Sequence, residues 1–182
     1  MKWGLMPDRD VAIIQIGEEA QRANAVRAGI VQAAILGDLG ASLLEKEGLP
    51  VLGRLTDLGY RTQFTSMATR RSYIQKNEEK VRRLVRAMAE GIIYAFNHKR
   101  ETVDVVMKYT KLNEREPIEK AYDAVSQVWE RIPYPTVEGM RADLEWVKGQ
   151  TGSASSLKAE DMVDLRFVRE MEREGFFDAQ RS

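Results

Sequence analysis

The sequence predicts an α/β fold in two parts: an incomplete parallel-sheet lobe followed by a mainly α-helical C-terminal segment. Three observations carry this expectation. As far as Ser66, short apolar, β-branched runs alternate with helical patterns. Strands separated by helices imply parallel pairing through right-handed crossovers. After about Ser72 the short runs stop and long helical periodicities take over.

Residues 11–16 (VAIIQI) read as a buried strand. Residues 18–28 follow as a helix, with Ala20, Ala23 and Val26 at helical spacing and Gly29 as its stop. Residues 30–36 (IVQAAIL) are a second strand, 39–46 a second helix ended by Gly48 and Pro50, and 51–55 a third strand. Residues 63–69 are the candidate fourth. Asn77 is the candidate N-cap of a helix whose apolar face runs through Val81, Leu84, Val85, Met88, Ile92, Ala95 and Phe96. Residues 101–109 predict a further helix. Asn113 to Glu116 has the pattern of a capping box opening a helix to Arg131. Pro133 and Pro135 break it, because proline denies the backbone donors a helix needs. Thr136 caps a helix to about Lys148, 149–156 is a polar loop, and Asp164 opens a last helix that turns Leu165, Val168 and Met171 inward and stops at Gly175.

Composition narrows the function classes. With 43% hydrophobic residues among 182, the chain has the material for a packed core. Lys+Arg and Asp+Glu are both 28, so net charge gives no reason to expect nucleic acid or anionic lipid as a partner. The absence of cysteine removes disulfides, zinc-thiolate sites and thiol nucleophiles. The one histidine, His98, leaves no imidazole cluster for a metal. No cofactor is expected. Gly17-Glu18-Glu19 follows a strand but lacks the later glycines and the lysine of a phosphate loop. The N-terminus has no apolar signal-peptide core, which places the chain in the cytoplasm if Met1 is the true start.

Six pieces in order then carry a family resemblance: GLMPDRDVAIIQIG, NAVRAGIVQAAIL, EKEGLPVLGRLTDLG, RSYIQKNEEKVRRLVRAMAEGIIYAFNHKRE, MKYTKLNEREPIEKAYDAV and LRFVREMEREGFFD. Together they resemble the periplasmic substrate-binding proteins of the nitrate, sulfonate, taurine and thiamine-precursor ABC importers. The resemblance implies a type II periplasmic-binding-protein fold, two α/β lobes with a ligand cleft between them. It implies that 1–62 are the later part of the second lobe, and that 63–182 are the crossing strand and helical C-terminal part of the first. The chain then reads as N-terminally truncated, with self-association as a consequence of its uncovered surfaces. The implied function is capture of a small molecule without chemistry, in the periplasm, for delivery to an ABC transporter permease.

Ligands of such sheets sit beyond the carboxyl ends of the strands, where helix N-termini offer backbone N–H groups. The implied ligand-binding positions are Gly37, Asp38 and Leu39, with Tyr60, Thr65 and Ser66 near the crossing; Gly17 and Glu18 follow the first strand. The chain departs from the family at Gln32, where an acidic residue is usual, at Gly37-Asp38, where Ser-Pro or Pro-Pro is common, and at Glu78, which replaces a proline. Asp38 would repel an anionic head group, which weighs against nitrate or sulfonate.

Each singled-out residue also has a plainer role. His98 suits a helix C-terminus. Asp38 suits a helix N-cap. Trp129, Tyr134 and Trp146 are expected to pack around the proline turn, with a stacking platform as the alternative. Arg70-Arg71 and Arg82-Arg83 read as a solvated face or a partner contact. Two other functions stay open: a helical interaction or scaffold protein using the face from Val81 to Phe96, and a synthase of the thiamine pyrimidine. Relatives with that synthase activity use a histidine and a cysteine-rich segment, and the lack of cysteine opposes it here.

Overall fold

The computed structural model describes residues 4–59, 65–151 and 156–178. The described residues form helices α1 (Glu19–Arg27), α2 (Asp38–Lys46), α3 (Arg71–Lys76), α4 (Glu78–Asn97), α5 (Lys99–Thr110), α6 (Arg115–Ser126), α7 (Val137–Thr151), α8 (Ala159–Met162) and α9 (Arg166–Arg173). The chain divides into two compact units: Met1–Val51 with Val106–Gln127, and Leu52–Val105 with Val128–Ser182.

The expected sheet lobe is corrected. Among the described residues the only strand-like pairing is an isolated parallel bridge between Pro7 and Val11. The runs at 11–16, 30–36 and 51–54 are not assigned as strand, and Ile13, Ile14, Ile30, Ile35 and Leu52 are exposed. The physical reason lies in the backbone. A parallel strand is held by ladder bonds to a neighbour, and these runs find none in the described chain. The candidate strand at 63–69 falls partly outside the described residues; 66–70 carry no strand.

Helices α1 and α2 of the first unit form where expected. The Glu18 backbone N–H donates to Gln21 Oε1 at 2.7 Å, closing the N-terminus of α1. Gly29, at φ +69°, takes the left-handed turn that ends α1, and Ile30 N–H returns to Ala25 C=O at 2.9 Å. α2 packs on α1 and on α6. Ala23, Ala25, Leu44, Ile118 and Ala121 are its buried apolar residues. Arg27 clasps Glu47 through two bonds of 2.6 and 2.7 Å, tying the C-terminal end of α1 to that of α2. Lys46 pairs with Glu114 at the start of α6.

The second unit is built on α4 against α9. Ala89, Ile93, Val168, Met171 and Phe177 form its core, flanked by Val85, Ile132, Tyr134 and Phe176. The buried face of α4 is therefore Val81, Val85, Ala89 and Ile93, spaced by four. Leu84 and Met88, expected on the inward face, are exposed. Fully buried Ala89, with only a methyl group, lets α9 approach closely. Leu144 and Ala159 form a smaller core between α7 and α8, joined by Val137, Met140 and Val147.

Local devices adjust several boundaries. Asn77 is the N-cap residue of α4, but its side-chain amide donates to Tyr73 C=O at 3.1 Å and finishes α3 instead. The expected capping box at Asn113 is absent; Glu114 is the N-cap of α6 and makes no side-chain cap bond. α6 stops at Ser126, well before the prolines. Thr136 does cap α7, its Oγ1 accepting Gly139 N–H at 3.2 Å. Helices α3 and α8 are short and were not anticipated.

Met171→Ala in the α4–α9 core is expected to destabilise the chain by about 2–5 kcal/mol. Urea unfolding at fixed protein concentration measures it, and a loss below about 1 kcal/mol would mean that this cluster is not the core of the unit.

Candidate functional site

The site expected from sequence begins at the N-terminus of α2. Gly37 is its N-cap residue, in extended conformation, and Asp38 is the first helical residue. Gly37, Asp38 and Leu39 are half-buried. The first-turn backbone N–H groups of a helix carry a partial positive charge. Two carboxylates serve that charge here. One is Asp38 itself. The other is Glu19, from the first turn of α1: a methyl group on Gly37 would lie 3.2 Å from its Oε2, and one on Gly40 would collide with its Oε1. The end of α2 already has its counter-ions, and an oxyanion arriving there meets two negative charges.

Arg22 organises the same neighbourhood. Its Nη1 donates to Gly17 C=O at 2.9 Å and its Nε to Ile35 C=O at 3.1 Å. One guanidinium thus holds together the ends of the first two extended runs, beside the start of α2. No sequence motif singled out Arg22. Its position one turn into α1, facing back to the strand ends, is a tertiary fact.

The remaining predicted site residues are dispersed. Thr65 and Ser66 are exposed and belong to the second unit. Tyr60 lies outside the described residues. Gly17 and Glu18 sit at the entry to α1 and take part in its N-terminal capping with Gln21.

A further cavity lies elsewhere. An open groove of about 760 Å³ on the second unit is lined by Glu78 and Arg82 of α4, Tyr134, and a run of α9 from Arg166 to Arg173. Arg82 pairs with Glu78 and Glu79 at 3.3 Å each, and with Glu170. Its guanidinium and that of Arg166 lie 5.8 and 5.4 Å from the Phe167 ring centre. Arg166 also grips Asp164, holding that carboxyl below its usual range. Tyr134 donates to Glu172 Oε2 at 2.7 Å; desolvation first, then this bond, push its hydroxyl upward. Most of the groove's charge is thus spent internally. Arg169 and Arg173 face no carboxylate partner among the described residues, but no buried polar group is aimed into the groove to orient a ligand.

His98 takes its plainer role, and the aromatic cluster is corrected. His98 ends α4, its Nδ1 3.0 Å from Tyr94 C=O and its ring stacked on Tyr94 at 4.1 Å. Trp129 meets Phe96 edge-on at 6.5 Å, Tyr134 reaches Glu172, and Trp146 is exposed, so the three aromatic residues do not gather on the proline turn. Arg71 donates to Asp161 C=O, while Arg82 and Arg83 pair with Glu79 at 3.3 and 3.7 Å, so half of the basic stretch is matched by carboxylates. Among the described residues no group of three metal-ligating side chains occurs, and no helix is long and apolar enough to cross a membrane.

A family model described as NMT1/THI5 like matches residues 9–102. No curated protein and no solved structure gives a significant match to the chain.

The Tyr134 hydroxyl supplies a pH signature. Its proton is held more tightly folded than unfolded, so the native state binds more protons above the ordinary value of 10.0. Its stabilisation is complete below that pH and is lost as pH rises through the raised folded value. Tyr134→Phe is expected to lessen the fall in stability above pH 10.0, measured as the difference between wild-type and variant unfolding curves. Parallel curves would show that neither desolvation nor Glu172 holds the Tyr134 proton.

Proposed function

The chain belongs to the NMT1/THI5-like family, within the periplasmic-binding-protein group, and from that membership we propose that it is a solute-binding component of an ABC importer. It captures a small molecule without chemistry and presents it to a permease. The observation that carries this reading is the match over residues 9–102, which includes the α2 N-terminus and the Arg22-bridged ends of the two extended runs.

The same place narrows the ligand. Asp38 and Glu19 already compensate the positive end of α2, so a nitrate or sulfonate gains little there and is repelled by both. A neutral or cationic nitrogen heterocycle, such as an aminopyrimidine, fits better: its N–H groups donate to carboxylates that need not move. The synthase reading finds less support. The one histidine of the chain is held at the end of α4 by Tyr94, and the chain has no cysteine.

Thermal shift against aminopyrimidines, amines, sulfonates and nitrate tests the proposal. A ligand that binds only the folded chain raises the melting temperature. The expected result is a rise with a heterocyclic base and none with oxyanions. Asp38→Asn is expected to weaken that binding roughly tenfold or more, the loss of a charge-assisted hydrogen bond of about 1.5–3 kcal/mol. A rise specific to sulfonate, or chemical conversion of the bound base, would overturn the assignment.

A further inference from the structure

We propose that Arg22 is the positioning residue of the candidate site at α2: it fixes the start of α1 against the start of α2, and so seats the Glu19 carboxylate beside the α2 N-terminus. The proposal adds a residue to the solute-binding reading and rests on that reading for its ligand arm alone. It begins from a gap in the backbone. Where strands lead into helices, the ladder between the strands sets how the helix starts lie together. Among the described residues, 12–17 and 33–37 have no ladder. Another group must hold the chain as it enters the two helices.

Arg22 does so with two bonds. Its Nη1 donates to Gly17 C=O at 2.9 Å and its Nε to Ile35 C=O at 3.1 Å. Gly17 directly precedes Glu18, the N-cap residue of α1, and Ile35 lies just ahead of Gly37, the N-cap residue of α2. A guanidinium is planar and its donors keep fixed angles, so one that holds two carbonyls fixes them relative to each other. A lysine ammonium on its flexible stem does not. Arg22 is half-buried and forms no ion pair among the described residues, so no carboxylate draws it away from these carbonyls.

The same face of α1 carries Glu19, one turn ahead of Arg22. Its Oε2 lies 3.2 Å from where a Gly37 methyl group would stand, and its Oε1 would collide with one on Gly40. Glu19 is exposed, and no hydrogen bond holds it among the described residues. The placement of α1 against α2 is therefore what aims it. Arg27 and Glu47 fix the C-terminal ends of these two helices, and Arg22 fixes the N-terminal ends.

Arg22→Lys and Glu19→Gln, singly and together, test this in the full chain. Without ligand, amide exchange reads the clamp. Arg22→Lys is expected to speed exchange about tenfold at Ala41, whose N–H closes the first turn of α2 on Gly37 C=O at 2.9 Å, and to leave α4 of the other unit unchanged. Unaltered exchange at Ala41 would overturn the proposal. Titration calorimetry with 4-aminopyrimidine then reads the site. Each single variant is expected to weaken binding about tenfold, and the pair no more than the weaker single, because without the Glu19 carboxylate Arg22 has nothing left to seat. Additive losses would make Arg22 a general brace and sink the positioning role. If the wild-type chain binds no aminopyrimidine, the ligand assignment fails, and urea unfolding of the same four chains decides the placement: coupled losses support it and additive losses reject it. Should the lysine variant fail to fold, the wild-type Arg22 Nε–H decides by NMR. Slow solvent exchange there supports the bond to Ile35, and free exchange rules it out.

Discussion

An α-helix closes its hydrogen bonds within itself, whereas a β-strand needs a neighbour. The architecture of this chain follows from that difference. Its helices satisfy their interior backbone locally and need only one packed face. α4 has Val81, Val85, Ala89 and Ile93 on such a face, α9 presents Val168 and Met171, and the two meet. The runs at 11–16 and 30–36 have the composition of strands but no strand beside them among the described residues, and Ile13, Ile14, Ile30 and Ile35 lie in solvent. Where a helix needs help at its ends, the chain supplies it piecemeal: Gln21 at α1, Glu19 at α2, Thr136 at α7.

Electrostatics is used in the same economical way. Arginines are abundant, and many are matched close to home: Arg27 by Glu47, Arg82 by Glu78 and Glu170, Arg166 by Asp164. These pairs are exposed, and exposed pairs contribute little stability each. Their effect is orientation. They fix which ends of which helices lie together, and they leave few charges over for a ligand. The α2 N-terminus shows the consequence: a place built like an anion site already has two carboxylates near it.

The N-terminus of α2 at Gly37 to Leu39 begins directly where the second apolar run ends, and Arg22 ties that run to the end of the first.

Much of the helical half was legible in the sequence. Glycine stops after α1, α2 and α9 and the Thr136 cap at α7 all act over a single turn, and local chemistry decides them. The family relation was legible too, because it rests on the order of short patterns along the chain. The α4 face was misread at Leu84 and Met88 because hydrophobicity alone does not say where a neighbour comes close; Ala89 does, through its small size, and only the position of α9 reveals it. The sheet was misread for a deeper reason. Val11 to Ile16 and Ile30 to Leu36 carry strand propensity, but a strand is a relation between segments. Composition and period, set by the sequence alone, determined which segments wanted burial. Tertiary structure decided which ones obtained it, because backbone pairing and close packing require a partner at the right distance.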